Sequence, residues 1–147
     1  MFKLLLPEWK MGEQDSQGNT IAHWIVARGR NDMLKVLIEY KVDLNIEGKK
    51  GETILHAMIT AMDYAITKGD SLLMQYLYYK KDSILNQLLS LPPSRIDFNK
   101  EDQFEYTPLA LALKLNLYKE IIEKLKEKEE EGLPFKKRKK FKSAHES

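Results

Sequence analysis

The sequence predicts an all-α solenoid in which units of two helices stack side by side. The first observation is a set of turn and helix-start residues that returns with a period of 33 residues. The second is a threonine in each copy at the position expected for a helix N-cap. The third is an apolar stripe at helical spacing, in residues 33–38 and again in residues 117–125. A two-helix unit cannot bury such a stripe alone, so the copies must pack against one another.

Four residues define the repeat, because they return 33 positions later. They are Gly18, Thr20, Ile21 and His23 in the first copy, and Gly51, Thr53, Ile54 and His56 in the second. A third copy follows at an offset of 54, at which Asp43, Asn45 and Thr53 return as Asp97, Asn99 and Thr107. This offset is one period plus 21 residues, which indicates an insertion of that length in the second copy.

Residues Thr107–Ala112 read Thr-Pro-Leu-Ala-Leu-Ala, and with this repeat the chain resembles the ankyrin-repeat family, whose signature is of the type Thr-Pro-Leu-His-x-Ala. The resemblance spans residues 15–125 and implies about three helix-turn-helix repeats, each opened by a β-turn finger. We expect repeats at about 15–47, 48–101 and 102–131, with a helical insertion of about 21 residues near 63–82. Residues 1–14 are expected to cap the first repeat, and residues 132–147 to form a basic tail.

Turn chemistry predicts how each finger leads into its helix. Glycine in the first two copies supplies a left-handed turn position, and the threonine two residues later caps the helix behind it. Pro108 fits the first position of the third such helix. Glu105 stands where the other copies have glycine. We therefore expect either a different turn type or a strained Glu105, and a locally altered third finger.

The turn between the two helices of a unit is predicted at Gly29 and at Asn116, since asparagine best tolerates the left-handed conformation after glycine. Within the insertion, Asp70 and Ser71 are expected to start an extra helix. Its expected apolar face consists of Leu72, Leu73, Tyr76 and Leu77. Most aromatic side chains of the insertion are expected in the core, and any that stay exposed would form a second contact site.

The composition excludes several kinds of chemistry. Because the chain has no cysteine, it has no disulfide, thiolate metal site or cysteine nucleophile, and an intracellular location in cytoplasm or nucleus is expected. The apolar run at residues 2–6 is too short for a membrane span. His23 and His56 recur at the repeat period, which favours a structural role in the turn over a metal or catalytic site. We expect no enzyme activity, no metal and no cofactor.

The resemblance implies that the finger tips and the adjoining concave face bind a protein partner. The candidate tip residues are Gln17, Asn19, Lys49, Lys50, Glu52, Gln103, Phe104 and Tyr106. Arg28 and Lys114, near the ends of first helices, are expected to face the same concavity. Phe104 and Tyr106 are the favoured contacts, because aromatic residues outside a core are common interface anchors; the alternative is that one folds back onto its own repeat. Trp24 is expected in the core, and the chain is expected to be a monomer.

The tail of residues 132–147 carries a net charge of +5, and the preceding residues carry −3. Its basic cluster comprises Lys136, Lys137, Arg138, Lys139, Lys140 and Lys142. The cluster resembles a nuclear import signal read by a carrier; nucleic-acid or anionic-lipid binding and a merely solubilising role stay open as alternatives. Lysine outnumbers arginine 20 to 4, which argues against a surface built for bidentate base readout.

The predicted function is that of a non-catalytic scaffold that binds a partner protein. The alternative is a nuclear-targeted regulator whose basic tail acts as an import signal or contacts nucleic acid. The arrangement of a few degenerate repeats also resembles that of many secreted bacterial and viral proteins that act on host cells, and the high content of lysine, isoleucine and tyrosine would suit an AT-rich genome. In that case the protein would work inside the host cell.

Overall fold

The computed structural model describes residues 14–15, 18–48 and 50–132. Most of the expected N-terminal cap, Gln17, Lys49 and tail residues 133–147 lie outside these described residues. Within the described part the chain forms seven α-helices and no β-strand. The helices are α1 (Ile21–Ala27), α2 (Asn31–Glu39), α3 (Ile54–Lys68), α4 (Ser71–Met74), α5 (Ile84–Leu89), α6 (Pro108–Lys114) and α7 (Lys119–Glu131).

The first helices of the three units lie side by side. Helix α3 packs against α1 on one side and against α6 on the other. Helices α2 and α7 pack against the first helices of their own units, and α5 packs against α2. Leucines of the predicted stripe are buried in this stack, including Leu34, Leu37 and Leu125. The predicted all-α solenoid of three two-helix units is therefore confirmed.

A threonine begins each first helix, as predicted. Thr20, Thr53 and Thr107 have extended backbones, with ψ angles of 173°, 176° and 167°. The Thr53 hydroxyl accepts a hydrogen bond from the Leu55 amide at 3.2 Å, and the Thr107 hydroxyl accepts one from the Ala110 amide at 3.1 Å. Each bond satisfies an amide that the first turn of a helix leaves without an intrahelical partner.

The third finger keeps the turn of the other two, so the expectation of a locally altered finger is wrong. Gly18, Gly51 and Glu105 have φ angles of 81°, 74° and 68°. The amide of each donates to the carbonyl three residues earlier, at 2.9, 3.1 and 3.0 Å. Glu105 is thus a non-glycine residue in the left-handed region, which costs about 1 kcal/mol. The surrounding hydrogen bonds hold the turn in spite of that cost.

The turns between paired helices follow the sequence prediction. Gly29 and Asn116 both take left-handed conformations, with φ angles of 68° and 58°. The amide after each turn reaches back to the preceding helix: Arg30 donates to the Ile25 carbonyl at 3.0 Å and Leu117 to the Ala112 carbonyl at 3.1 Å. These bonds close the helix ends and reverse the chain.

The insertion has two parts, a longer first helix and an added helical turn. Helix α3 has 15 residues, whereas α1 and α6 have 7 each. Asp70 caps α4 by accepting from the Leu73 amide at 3.1 Å. Helix α4 then continues as a π-helical turn at Gln75–Tyr79, which the sequence pattern did not predict.

The apolar face of the insertion differs from the prediction. Met74 and Leu77 are buried against the repeats, whereas Leu72 is 66% exposed and so does not belong to the packed face. Leu73 packs at the edge of the core. The buried face of the insertion is instead centred on Met74 and Leu77, which are three residues apart as on one face of a helix, and Leu72 lies outside that face.

Candidate protein-binding surface

Two buried histidines join consecutive units. The Thr20 amide donates to His23 Nδ1 at 3.2 Å, so that nitrogen is an acceptor and the proton belongs on Nε2. His23 Nε2 then donates to the Glu52 carbonyl of the second unit at 2.8 Å. His56 repeats the arrangement: the Thr53 amide donates to its Nδ1 at 3.1 Å, and its Nε2 donates to the Tyr106 carbonyl at 2.7 Å. Both histidines therefore have the structural role that the repeat predicted.

These bonds also orient the surface. Each one joins the start of a first helix to the residue just before the next threonine, so α1, α3 and α6 run parallel with their N-termini together. The three fingers consequently line up at one end of the stack. Within the described residues, no group of three histidine, aspartate or glutamate side chains is placed to hold a metal ion.

Asp15 and Asp102 fix the first and third fingers, and neither was among the residues predicted from the sequence to matter for binding. Asp15 Oδ1 accepts from the Asn19 amide at 3.0 Å. Asp102 Oδ1 accepts from the amides of Phe104 and Tyr106 at 2.9 and 3.0 Å. The signal was available, because the two aspartates occupy the same repeat position, where the second unit has Gly48. The third finger is also tied to the second, since the Gln103 amide donates to the Lys50 carbonyl at 2.9 Å.

The predicted tip residues separate into exposed and half-buried sets. Lys50, Gln103 and Phe104 are exposed, and Phe104 presents 61% of its surface to solvent. Asn19, Glu52 and Tyr106 are half-buried. The ring of Tyr106 lies 4.9 Å from Lys114 Nζ, which places Lys114 beside the third finger. Phe104 is therefore the aromatic side chain that the finger leaves open.

Between α1 and α3 lies a cavity of about 360 Å³, here called the Trp24 groove. Its lining residues are Asn19, His23, Trp24, Ala27, Glu52, Ala57, Thr60, Ala61 and Tyr64. Trp24 is 41% exposed and Tyr64 55% exposed, whereas the alanines leave room between them. The groove runs from Glu52 at the finger end to Tyr64 near the far end of α3.

The prediction that Trp24 lies in the core is wrong. Its indole Nε1 donates to Asp15 Oδ2 at 2.9 Å, so the polar edge of the ring is held at the surface. The Arg28 guanidinium lies over the ring, 4.5 Å from its centroid. A ring with a satisfied N–H and a cation on one face can remain half exposed at low cost.

A second cavity of about 530 Å³, here called the insertion pocket, lies between the α1–α2 turn and α4. Its lining residues are Arg28, Gly29, Arg30, Asn31, Asp32, Asp70, Leu72, Leu73 and Tyr76. Arg28 lines this pocket and also covers Trp24, so it connects the insertion pocket to the Trp24 groove. The sequence predicted Arg28 on the concave face but gave no indication of this pocket.

Three tyrosines form a separate cluster between the insertion and the third unit. Tyr78 lies edge-on to Tyr79 and Tyr118, with ring centroids 4.8 and 6.0 Å apart. Burial raises the pKa of Tyr78, and the hydrogen bond that the Tyr79 hydroxyl donates to Tyr118 raises the pKa of Tyr79. Neither phenol is activated by these shifts. The cluster acts as packing between two units, although Tyr79 remains exposed.

Ion pairs join neighbouring units on the outer surface. Lys35 Nζ lies 2.8 Å from Asp82, and this hydrogen bond lowers the pKa of the Asp82 carboxyl. Lys100 Nζ lies 2.7 Å from Glu47, which raises the pKa of Lys100. Because both pairs are substantially exposed to solvent, each contributes little to the free energy of unfolding. Their main effect is to align the neighbouring units.

Comparison with known protein families identifies the repeat. The family model described as ankyrin repeats (3 copies) matches residues 1–87. The chain belongs to the ankyrin-repeat family. Ankyrin repeats generally mediate protein–protein interaction, and the family is typically a non-enzymatic interaction module. The match ends before α6, so the third two-helix unit of this ankyrin-repeat protein is defined by the structure.

Two curated proteins share shorter stretches with this ankyrin-repeat chain. Regulatory protein SWI6 of Kluyveromyces lactis is 33% identical over 64 residues, which are 44% of this chain and 8% of that protein. Inversin of Danio rerio is 38% identical over 47 residues, which are 31% of this chain and 5% of that protein. The chain thus covers less than a tenth of the length of either relative. Among the described residues, no helix has the length and apolar character needed to cross a membrane.

Proposed function

We propose that this ankyrin-repeat protein is a non-catalytic scaffold that binds a partner protein through its fingers and its concave face. The observation that carries the proposal is Phe104, a large apolar side chain held 61% exposed on a finger whose backbone is fixed by Asp102. Burying such a ring against a partner is a strong source of contact energy. Lys50 and Gln103 on the same two fingers are exposed, and Lys114 lies beside Tyr106, so polar groups are available for the rim of an interface.

The mechanism is rigid display of side chains. The histidine bonds, the aspartate-fixed turns and the bond from Gln103 to Lys50 hold the fingers in position before any partner arrives. A partner therefore orders few backbone groups when it binds, which lowers the entropic cost of association. Arg28, Asn19 and Glu52 extend the same surface along the concave face.

The double substitution Phe104→Ala with Tyr106→Ala tests the proposal. Loss of these rings is expected to weaken partner capture by about 2 kcal/mol or more, the range of interface hot spots. The measurement is quantitative affinity capture with the purified chain, followed by titration of the captured protein. Tyr40→Ala is the matched control, because Tyr40 is also an exposed aromatic but lies at the end of α2. Unchanged capture by the double variant would refute the finger site.

A second candidate function uses the basic tail, which is supported by the cluster Lys136–Lys140 in the sequence. If it is a nuclear import signal, alanine at residues 136–140 abolishes nuclear accumulation of the full chain. If it binds nucleic acid through about six charges, the affinity falls with salt at a log–log slope of about −5. A tail that changes neither measurement is only solubilising. Action inside a host cell is a further proposal that rests on the repeat pattern and composition alone.

A further inference from the structure

Arg28 is an arginine that the structure orients but does not pair. Its guanidinium stacks on Trp24 at 4.5 Å, and within the described residues it makes no hydrogen bond or ion pair. The two other described arginines are engaged: Arg30 lies 3.8 Å from Asp32, and Arg95 donates to the Ile38 carbonyl at 3.2 Å. The donor fork of Arg28, which is exposed and lies over the Trp24 ring, is therefore available to a carboxylate from outside.

Within the described residues, the aspartates near Arg28 form no ion pair with it and accept hydrogen bonds from other groups. Asp15 accepts from the Trp24 indole, Asp70 from the Leu73 amide, and Asp32 from the Met33 amide at 2.9 Å. Glu52 lies at the finger end of the Trp24 groove, since it precedes α3, whereas Arg28 lies at the end of α1. A ligand along this groove would therefore meet a negative group at one end and a positive group at the other.

Exposed apolar side chains flank Arg28 on both sides. Trp24 and Tyr64 border the Trp24 groove, and Leu72, 66% exposed, borders the insertion pocket. Two of these three come from the insertion: Tyr64 lies in the lengthened part of α3 and Leu72 lies on α4. This surface is thus a property of this chain's enlarged unit and is separate from the fingers.

We propose that Trp24, Arg28, Tyr64 and Leu72 form a docking surface for an acidic peptide segment of a partner protein. The segment carries an apolar side chain that enters the groove between Trp24 and Tyr64, and a nearby glutamate or aspartate that pairs with Arg28. Its end next to Glu52 lacks negative charge, because the Glu52 carboxylate would repel it. The inference rests on the proposed function, in that the domain binds protein through its concave face, and it assigns a defined partner chemistry to the part of that face formed by the first unit and the insertion rather than by the third finger.

The probe is a displayed library of random 12-residue peptides, selected for binding to the full chain. The chain carries the substitution Trp9→Phe, so that Trp24 is its single tryptophan. We expect enriched peptides to share an acidic residue near an apolar one and to shift the Trp24 indole N–H resonance in NMR spectra. The inference would be overturned if the enriched peptides were basic or lacked an acidic residue. It would also be overturned if no enriched peptide shifted this resonance.

The decisive measurement is a double-substitution cycle between Arg28 and the peptide carboxylate. Arg28→Gln, or glutamate to glutamine in the peptide, is expected to weaken binding about tenfold each, and the two together no more than either alone. Arg28→Lys should recover part of the loss, because it restores charge without the planar fork. Independent, additive losses would show that the two groups do not meet, and would overturn the proposed pairing.

Two matched variants separate this surface from the fingers. Leu72→Ala is expected to weaken the binding of the peptide about threefold to tenfold, the range for a partly buried leucine at an interface. Leu113→Ala, which also removes an exposed leucine, should leave it unchanged. The variant with Phe104→Ala and Tyr106→Ala should bind the peptide normally. This expectation holds whether or not the same variant loses capture of the partner protein. Loss of peptide binding in it, with no shift at Trp24, would refute the docking surface and leave the finger proposal standing.

Discussion

Glu105 shows how a single residue can depart from the repeat without changing the local structure. Its φ of 68° matches those of Gly18 and Gly51, although a side chain is disfavoured in that region. Asp102 accounts for this, because its carboxylate accepts the two amides that flank Glu105. The sequence predicted the strain but not the unchanged turn, since the hydrogen bonds that outweigh the strain involve a residue that lacks a counterpart in the second unit.

Glu105→Gly should therefore stabilise the protein by about 1 kcal/mol, because glycine has no penalty at positive φ. Chemical denaturation with urea measures the change. Glu101→Gly is the control: Glu101 is also an exposed loop glutamate, but its φ is not positive, so glycine there should reduce stability by increasing the entropy of the unfolded chain. A destabilised Glu105→Gly variant would mean that the side chain itself contributes to the finger.

At the scale of helices, the insertion contacts the first unit at Gly29, in the turn between α1 and α2. A Cβ atom on Gly29 would lie 3.0 Å from Leu73 Cδ1 and 3.0 Å from Tyr76 Cβ, so the α1–α2 turn and the insertion are in direct contact. Gly69, at the end of α3, has a similar φ of 69° but no neighbouring atom within 4 Å of such a Cβ. Comparing substitutions at the two glycines therefore distinguishes the cost of the backbone conformation from the cost of tight packing.

Gly69→Ala should cost about 1 kcal/mol, the penalty for a left-handed alanine. Gly29→Ala should cost about 2 to 3 kcal/mol, because overpacking against Leu73 and Tyr76 adds to the same backbone penalty. Urea denaturation of both variants gives the comparison. Equal losses in the two would contradict a tight contact between the insertion and the first unit.

The starts of α3, α4 and α5 were predictable, because each has a local polar N-cap: Thr53, Asp70 and Ser83. The π-helical turn at Gln75–Tyr79 and the exposure of Leu72 were not, because both depend on how the insertion packs on neighbouring units. The same limit applies to the binding surface. Phe104 follows from its place on a finger, whereas the groove beside Trp24 depends on Asp15, Arg28 and Tyr64, which are far apart in the repeat pattern.

For the whole molecule, the position of each histidine follows from the stacking of units. His23 and His56 each need a carbonyl in the next unit, and they find it at Glu52 and Tyr106. The described part of the chain has no fourth unit, so a histidine in place of Ala110 would find no such carbonyl there. Thr107 instead hydrogen-bonds the Glu129 carboxylate, and one oxygen of that carboxylate is buried without a described partner.

This end of the stack should make stability depend on pH. Burial raises the pKa of Glu129 above its ordinary value of 4.5, and the Thr107 hydrogen bond offsets only part of the effect. A raised carboxyl pKa means that the folded state binds the proton more tightly, so the ionised group destabilises the fold above that pKa and has no such effect below pH 4.5. Glu129→Gln should therefore be more stable than the parent chain at pH 7.

Urea denaturation at several pH values tests this, and the advantage of Glu129→Gln should shrink as the pH falls below 4.5. Glu127→Gln serves as the control, because Glu127 is exposed on the same helix and should show no such trend. A constant difference between the Glu129 variant and the parent chain across this range would contradict the assignment.

The imidazole bonds all run in one direction, from each unit to its successor, and this gives the stack a preferred order of unravelling. Detaching the first unit frees a backbone carbonyl at Glu52, which water reaches readily. Detaching the third unit leaves the N–H of His56, a ring that is buried in the intact stack, without its carbonyl partner in the two units that remain. Opening should therefore begin at the first unit, and amide hydrogen exchange should be faster in α1 than in α6.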